Sequence, residues 1–112
     1  MADNFSYSKF LDVSPKPYSA YTSKVITVSG STTDHSLKDN TELFSSLASP
    51  YEIRIKDITQ DISIKFNSDS NDSIPILADN EFDTEGLIVT DIFVTVSGGS
   101  DASLNIIAFG WK

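Results

Sequence analysis

Leu87-Ile88-Val89-Thr90-Asp91-Ile92-Phe93-Val94-Thr95-Val96-Ser97, closed by Gly98-Gly99, is the stretch whose reading decides the fold. In its second half Ile92, Val94 and Val96 point one way while Phe93, Thr95 and Ser97 point the other, and β-branched residues are frequent. The run is too long and too apolar for an edge strand. It is therefore expected to be a central strand with neighbours on both sides, which the rest of the chain must supply.

With 112 residues the chain has the size of one domain and can bury roughly two-thirds of the surface its unfolded form exposes. A core is attainable without staples. The sequence contains no cysteine, so disulfides and thiolate metal sites are excluded. A net charge of −8, from 16 acidic and 8 basic residues, argues against nucleic acid as a partner, because that affinity comes mainly from Lys and Arg displacing counterions. There is no basic segment leading into an apolar run at the N-terminus and no stretch of about 18 apolar residues, so neither a signal peptide nor a membrane span is expected. A cytoplasmic site of synthesis and no membrane partner follow as expectations.

Residues 1–23 are rich in Ser, Tyr, Lys and Pro, and Ser14-Pro15-Lys16-Pro17 forces an extended course. This stretch is expected to be an N-terminal arm and residues 24–112 the β domain. The arm's aromatics, Phe5, Tyr7, Phe10, Tyr18 and Tyr21, either pack on the domain's own flank or dock on another subunit. Removing a docking arm should leave the domain folded and weaken attachment.

Residues 24–29 alternate weakly, Val25 and Thr27 against Ile26 and Val28, and read as a short strand ended by Gly30-Ser31. Residues 32–49 fit a short helix or an irregular loop, with Thr41 or Asn40 as a cap and Leu43, Phe44 and Leu47 at helical spacing. His35, the only histidine, is expected in an exposed loop, since metal and general-base chemistry both need partners it lacks.

From Tyr51 the pattern sharpens: Tyr51, Ile53 and Ile55 face in, and Glu52, Arg54 and Lys56 face out. Asp57 breaks the phase, and Ile62, Ile64 and Phe66 resume it, so a bulge or hairpin is expected between the two strands. Ile74-Pro75-Ile76-Leu77 is a brief strand whose proline places it at an edge or a strand start. Asp69, Asn71 and Asp72, and the cluster Asp79, Asn80, Glu81, Asp83 and Glu85, carry oxygen ligands for calcium, but no EF-hand spacing fits and Asx turns account for them. No metal and no cofactor are expected. In the last strand Leu104, Ile106 and Ala108 alternate with Asn105, Ile107 and Phe109, so that both faces are largely apolar up to Gly110-Trp111. Such a strand sits mid-sheet or meets another chain.

These segments predict an all-β protein, a two-sheet antiparallel β-sandwich of jelly-roll type with an extended N-terminal arm; immunoglobulin topology stays open although its cysteine pair is missing. Sequential hairpins with one long connection through residues 32–49 would build it.

Asp61-Ile62-Ser63-Ile64-Lys65-Phe66-Asn67, Ile74-Pro75-Ile76-Leu77, Leu87 to Thr95, Ser97-Gly98-Gly99-Ser100 and Ala102 to Gly110 together resemble a pattern of small virion proteins of tailed bacteriophages, over the chain from Tyr51 onward. That resemblance implies a jelly-roll-like sandwich with no catalytic residues, acting as a capsid decoration or cement protein on the capsid exterior and assembled in the host cytoplasm. Its partners would be the major capsid protein or other virion proteins, and a homo-oligomer is expected. The candidate docking residues are Phe5, Tyr7, Phe10, Tyr18, Tyr21, Ile107, Phe109 and Trp111. The alternative is a carbohydrate-binding or adhesion module on a fibre or tail, using Tyr18, Tyr51 or Trp111 as sugar platforms. An enzyme is not expected: a Ser-His-Asp site would have to run through His35, no Gly-x-Ser-x-Gly elbow exists, and Glu81 and Glu85 lack an evident cleft.

Overall fold

Alternation with a period of two, repeated in short runs separated by Gly, Asp, Asn and Ser, produces strands that each bury one face. In the computed structural model, which describes residues 19–45 and 47–111, these strands are β1 (Ala20–Val28), β2 (Thr32–Ser36), β3 (Ala48–Lys56), β4 (Ile62–Phe66), β5 (Ile74–Ile76), β6 (Phe82–Glu85), β7 (Ile92–Val96) and β8 (Ala102–Trp111), with a single helical turn α1 (Leu37–Asn40) after β2. They form two four-stranded antiparallel sheets, β1-β8-β3-β6 and β2-β7-β4-β5.

The pairs β1·β8, β2·β7, β3·β6 and β4·β5 are the rungs of one long antiparallel hairpin whose tip is the turn between β4 and β5. Rolling that hairpin brings β8 beside β3 and β7 beside β4. The result is the eight-stranded jelly roll, and the immunoglobulin alternative is set aside.

The core lies between the sheets. One inner face supplies Ile26 and Val28 of β1, Ile53 and Ile55 of β3, and Leu104, Ile106 and Ala108 of β8. The other supplies Ile62, Ile64 and Phe66 of β4, Ile76 of β5, and Ile92, Val94 and Val96 of β7. Leu37, Leu43, Leu47, Ile58 and Val89, all in connections, fill the ends. Phe66 stacks on Phe82 of the opposite sheet, ring centroids 6.0 Å apart.

β7 is a central strand, as its alternation requires, but it is shorter than the run that announces it. Leu87, Ile88 and Thr90 are exposed, and Val89 is the one apolar residue of this segment buried before the ladder begins at Ile92. The break is Asp91. Its buried carboxylate accepts hydrogen bonds from the Ser36 hydroxyl at 2.7 Å, the Lys38 amide at 3.0 Å and the Ile92 amide at 2.7 Å. Those bonds fix a corner rather than continue a strand.

Four further differences from the sequence-based expectations have physical causes. The helical turn occupies Leu37–Asn40, capped by Ser36, whose hydroxyl accepts from the Asp39 amide; Thr41 ends the turn instead of starting one. Leu43 and Leu47 are buried without a helix. β3 and β4 are not a hairpin but lie in different sheets, because Asp57 takes a left-handed conformation, φ 55°, and turns the chain across the core. Two low-hydrophobicity segments, Thr32–Ser36 and Phe82–Glu85, are edge strands of the sandwich. His35 is accordingly half-buried on β2 opposite Val94, not in an exposed loop.

Ala20–Val28 extends the first strand into the segment expected to be arm: Ala20 pairs with Gly110 and Ser23 with Ile107. Residues 1–18, with Phe5, Tyr7, Phe10 and Tyr18, lie outside the described residues. The brief proline-containing strand sits at the sheet edge, where Pro75 needs no amide for a second neighbour.

Two stability predictions follow from these corners. Asp91→Ala strands a buried hydroxyl and two amides, and is expected to cost about 2–4 kcal/mol in urea unfolding. At Gly30 an added Cβ would lie 2.5 Å from the Gly99 carbonyl; Gly30→Ala should therefore lower the melting temperature by several degrees, and Gly98→Ala, whose Cβ meets nothing, should leave it nearly unchanged.

Candidate functional site

The two outer faces of the sandwich differ in chemistry. On the β2-β7-β4-β5 sheet, Lys65 Nζ lies 3.1 Å from Asp34 Oδ1, and Asp34 also meets the Thr95 hydroxyl. That face is polar and partly covered, with the half-buried Phe93 beside Lys65.

The outer face of β1-β8-β3-β6 is built differently. Register places Tyr21, Phe109, Glu52 and Glu85 in one row across the four strands, and Ser23, Ile107, Arg54 and Asp83 in the next. Apolar side chains thus gather on β1 and β8, and charged ones on β3 and β6. Tyr21 and Val25 are 69% and 73% exposed, beside the half-buried Ile107 and Phe109. The Tyr21 and Phe109 rings lie 6.2 Å apart.

Arg54 joins the two halves. Its guanidinium carbon sits 5.5 Å from the Phe109 ring centroid, a cation–π approach. Its Nε donates to Glu52 Oε2 at 3.1 Å and lies 3.8 Å from Asp83 Oδ2. Glu52, expected on a wet face, is instead only 6% exposed, because β3 is an interior strand with Phe109 on one side and Glu85 on the other. Beside Arg54 a shallow cavity of about 210 Å³ is lined by Lys56, Glu81, Phe82, Asp83 and Ile107.

At the end of β8, Trp111 is 37% exposed and its ring lies 6.2 Å from that of Tyr51. Of the candidate docking residues, the structure therefore brings Tyr21, Ile107, Phe109 and Trp111 to the same sheet. The exposure of Val25 is not legible in the sequence, because the adjacent Ile26 is equally apolar and only packing decides which of the two is covered. Alternation alone makes Arg54 and Glu52 solvated charges; Phe109, the aromatic beside them, is far away in sequence.

Among the described residues, this face presents aromatic, aliphatic and charged side chains to solvent. Among the described residues, no three His, Asp or Glu side chains converge to hold a metal ion. In the loop considered for calcium, Asn71 donates to the Phe66 carbonyl, Ser68 and Ser70 hydroxyls bond each other, and Lys65 bonds the Asp69 carbonyl. Those contacts are turn chemistry. Among the described residues, no helix is long and apolar enough to cross a membrane.

The sequence matches no protein-family model and no curated protein. Among solved structures, the chain is similar to protein NMB1881 from Neisseria meningitidis, at 9% identity and a TM-score of 0.48 over 96% of this chain and 100% of that one. It is also similar to a cupin-2 domain-containing protein from Shewanella frigidimarina, at 10% identity and a TM-score of 0.46 over 92% of this chain and 91% of that one.

Because backbone and side-chain bonds already organise the acidic loops, chelation with EDTA is expected to leave the melting temperature of the protein unchanged. A fall of many degrees that added calcium reverses would show an ion in those loops.

Proposed function

We propose that this protein is a non-enzymatic structural module that docks on a larger protein assembly through the outer face of the β1-β8-β3-β6 sheet. The observation that carries the reading is the exposure of Tyr21 and Val25 beside Ile107 and Phe109, on a face whose opposite side already belongs to a filled core. Contacts made by Tyr21 and Val25 with a partner would contribute on the order of 1.5–3 kcal/mol each before ordering costs. Arg54, with Glu52 and Asp83, supplies a charged border that sets orientation. The resemblance from Tyr51 onward gives this docking a setting: a decoration or cement protein on a bacteriophage capsid exterior, contacting the major capsid protein or other virion proteins. Jelly rolls also serve as lectin domains and cupins, so the fold does not choose among these functions.

A second reading has one observation in its favour. Trp111 and Tyr51 form an aromatic pair at the end of the sheet, which suits stacking against a sugar ring, as in a carbohydrate-binding or adhesion module.

Affinity isolation of the tagged chain from its native source, followed by electron microscopy, separates the two. Docking predicts the chain seated on a repeating protein particle by this face, with occupancy reduced severalfold by Ile107→Asp. A chain that joins no particle, together with saturable binding on a glycan array that Trp111→Ala abolishes, would replace docking with the carbohydrate reading.

A further inference from the structure

A sandwich of two open sheets has four edge strands, each a row of unpaired amides and carbonyls that another strand can join. In this protein three of the four are blunted. β5 has three residues, one of them Pro75. β6 has four, including Asp83 and Glu85. β2 has five, its register with β7 breaks between Thr32 and His35, and Asp34 stands at φ 51°. β1 carries one such device, a single charged side chain, and is otherwise open. It has nine residues, an unbroken register with β8 from Ala20 to Val28, no proline and one charged side chain, Lys24. Among the described residues it pairs on one side alone.

We infer that β1 pairs antiparallel with β1 of a second copy of this chain, joining two four-stranded sheets into one of eight with a twofold axis at Ser23. The inference uses the backbone edge of the sheet whose outer face carries the proposed docking, and it stands without that function.

Three observations select a second copy and this register. A twofold pair needs a self-complementary strand, since residue i meets j and j meets i. Full overlap of the nine residues would place Lys24 against Lys24, and like charges directly opposite destabilise an antiparallel pair. With the axis at Ser23, Lys24 faces Thr22 of the partner subunit, and Tyr21 faces Val25 of the partner subunit twice over. Aromatic with β-branched is a favourable cross-strand combination, and both residues are largely exposed on the same face of the strand. An axis at Val25 would offer one Val–Val contact instead. Charge points the same way: in a chain of net charge −8, β1 bears no acidic residue, and joining two copies there leaves the acidic strand β6 of each at the far ends of the shared sheet.

The absence of cysteine from the sequence makes the test direct. Ser23→Cys would face itself across the axis at a spacing a disulfide can span, whereas Val25→Cys would sit four residues out of register with its copy, beyond the roughly 7 Å limit between Cα atoms. Under mild oxidation of the full chain, Ser23→Cys is expected to give a covalent dimer and Val25→Cys none. Sedimentation of the unmodified chain should show a species of twice the 12.2 kDa chain mass. Val25→Asp should shift it toward monomer by at least about tenfold in dissociation constant, with an unchanged circular dichroism spectrum. A monomer at high concentration with no Ser23→Cys cross-link would overturn the pairing, including the case in which residues 1–18 of the same chain occupy the edge. Cross-linking through Val25→Cys in place of Ser23→Cys would overturn the register. A monomer that still seats on a particle would sink this inference and leave the docking function standing; a dimer that joins no particle would do the reverse.

Discussion

The fold depends on two chain segments changing sheets together. Because the jelly roll is a rolled hairpin, each passage of one arm from sheet to sheet must be matched by the other arm beside it. The structure fixes each crossing with hydrogen bonds from backbone amides of one arm to carbonyls or carboxylates of the other. Ser31 donates to the Gly98 carbonyl and Gly30 to the Asp101 carboxylate at the first. Gly86 and Val89 donate to the Tyr51 and Pro50 carbonyls at the second. Asp79 donates to the Ile58 carbonyl and Ala78 to the Asp61 carboxylate at the third. Four of the left-handed residues stand at these places, Ser31, Asp57, Asp79 and Gly86, while Asn67 opens the hairpin tip and Asp34 lies at the register break of β2. Asx residues tolerate that conformation and hydrogen-bond locally. The acidic and amide-rich loops are therefore the joints of the roll.

Asn67 and Asp91 tie the hairpin tip to a crossing. The Asn67 side-chain carbonyl accepts from the Thr90 amide at 2.7 Å while its amide group donates to the Ile88 carbonyl at 2.9 Å. Asp91, next along, binds the Ser36 cap and the start of α1. Satisfying the buried Asp91 carboxylate and Ser36 hydroxyl with each other and with backbone amides, beside the exposed Asn67 bonds, gives the corner a single geometry. It also ends the ladder of β7, which is why an apolar run from Leu87 yields an exposed loop before a short strand.

The two outer faces show how one architecture separates folding from recognition. Both inner faces are apolar, aliphatic except for the Phe66–Phe82 stack, and close on each other. On the outside, one sheet carries the Asp34–Lys65 pair and the other carries aromatics next to Arg54. β8 makes this possible: lying between β1 and β3, it is held by backbone bonds on both edges and can present Ile107 and Phe109 outward without relying on them for the core.

In the sequence by itself, alternation marks the strands that bury one face at Ile53–Ile55, Ile62–Phe66 and Ile92–Val96, each with one inward set, whereas in Leu104–Ala108 both faces are largely apolar and pairing chose the inward one. Pro75 limited Ile74–Ile76 to an edge or a strand start, and the number and spacing of such runs pointed to the all-β sandwich. Tertiary structure alone decided which strands are neighbours: β1 and β8 stand at opposite ends of the described chain and share the longest register. It made strands of Thr32–Ser36 and Phe82–Glu85, whose weak local preference is overridden by a waiting partner edge. It also decided that Glu52 is covered while Val25 is exposed. The physical reason is the same in each case. Local pattern records how a residue alternates with its chain neighbours, whereas burial and pairing are set by residues distant in sequence, brought alongside when the hairpin rolls.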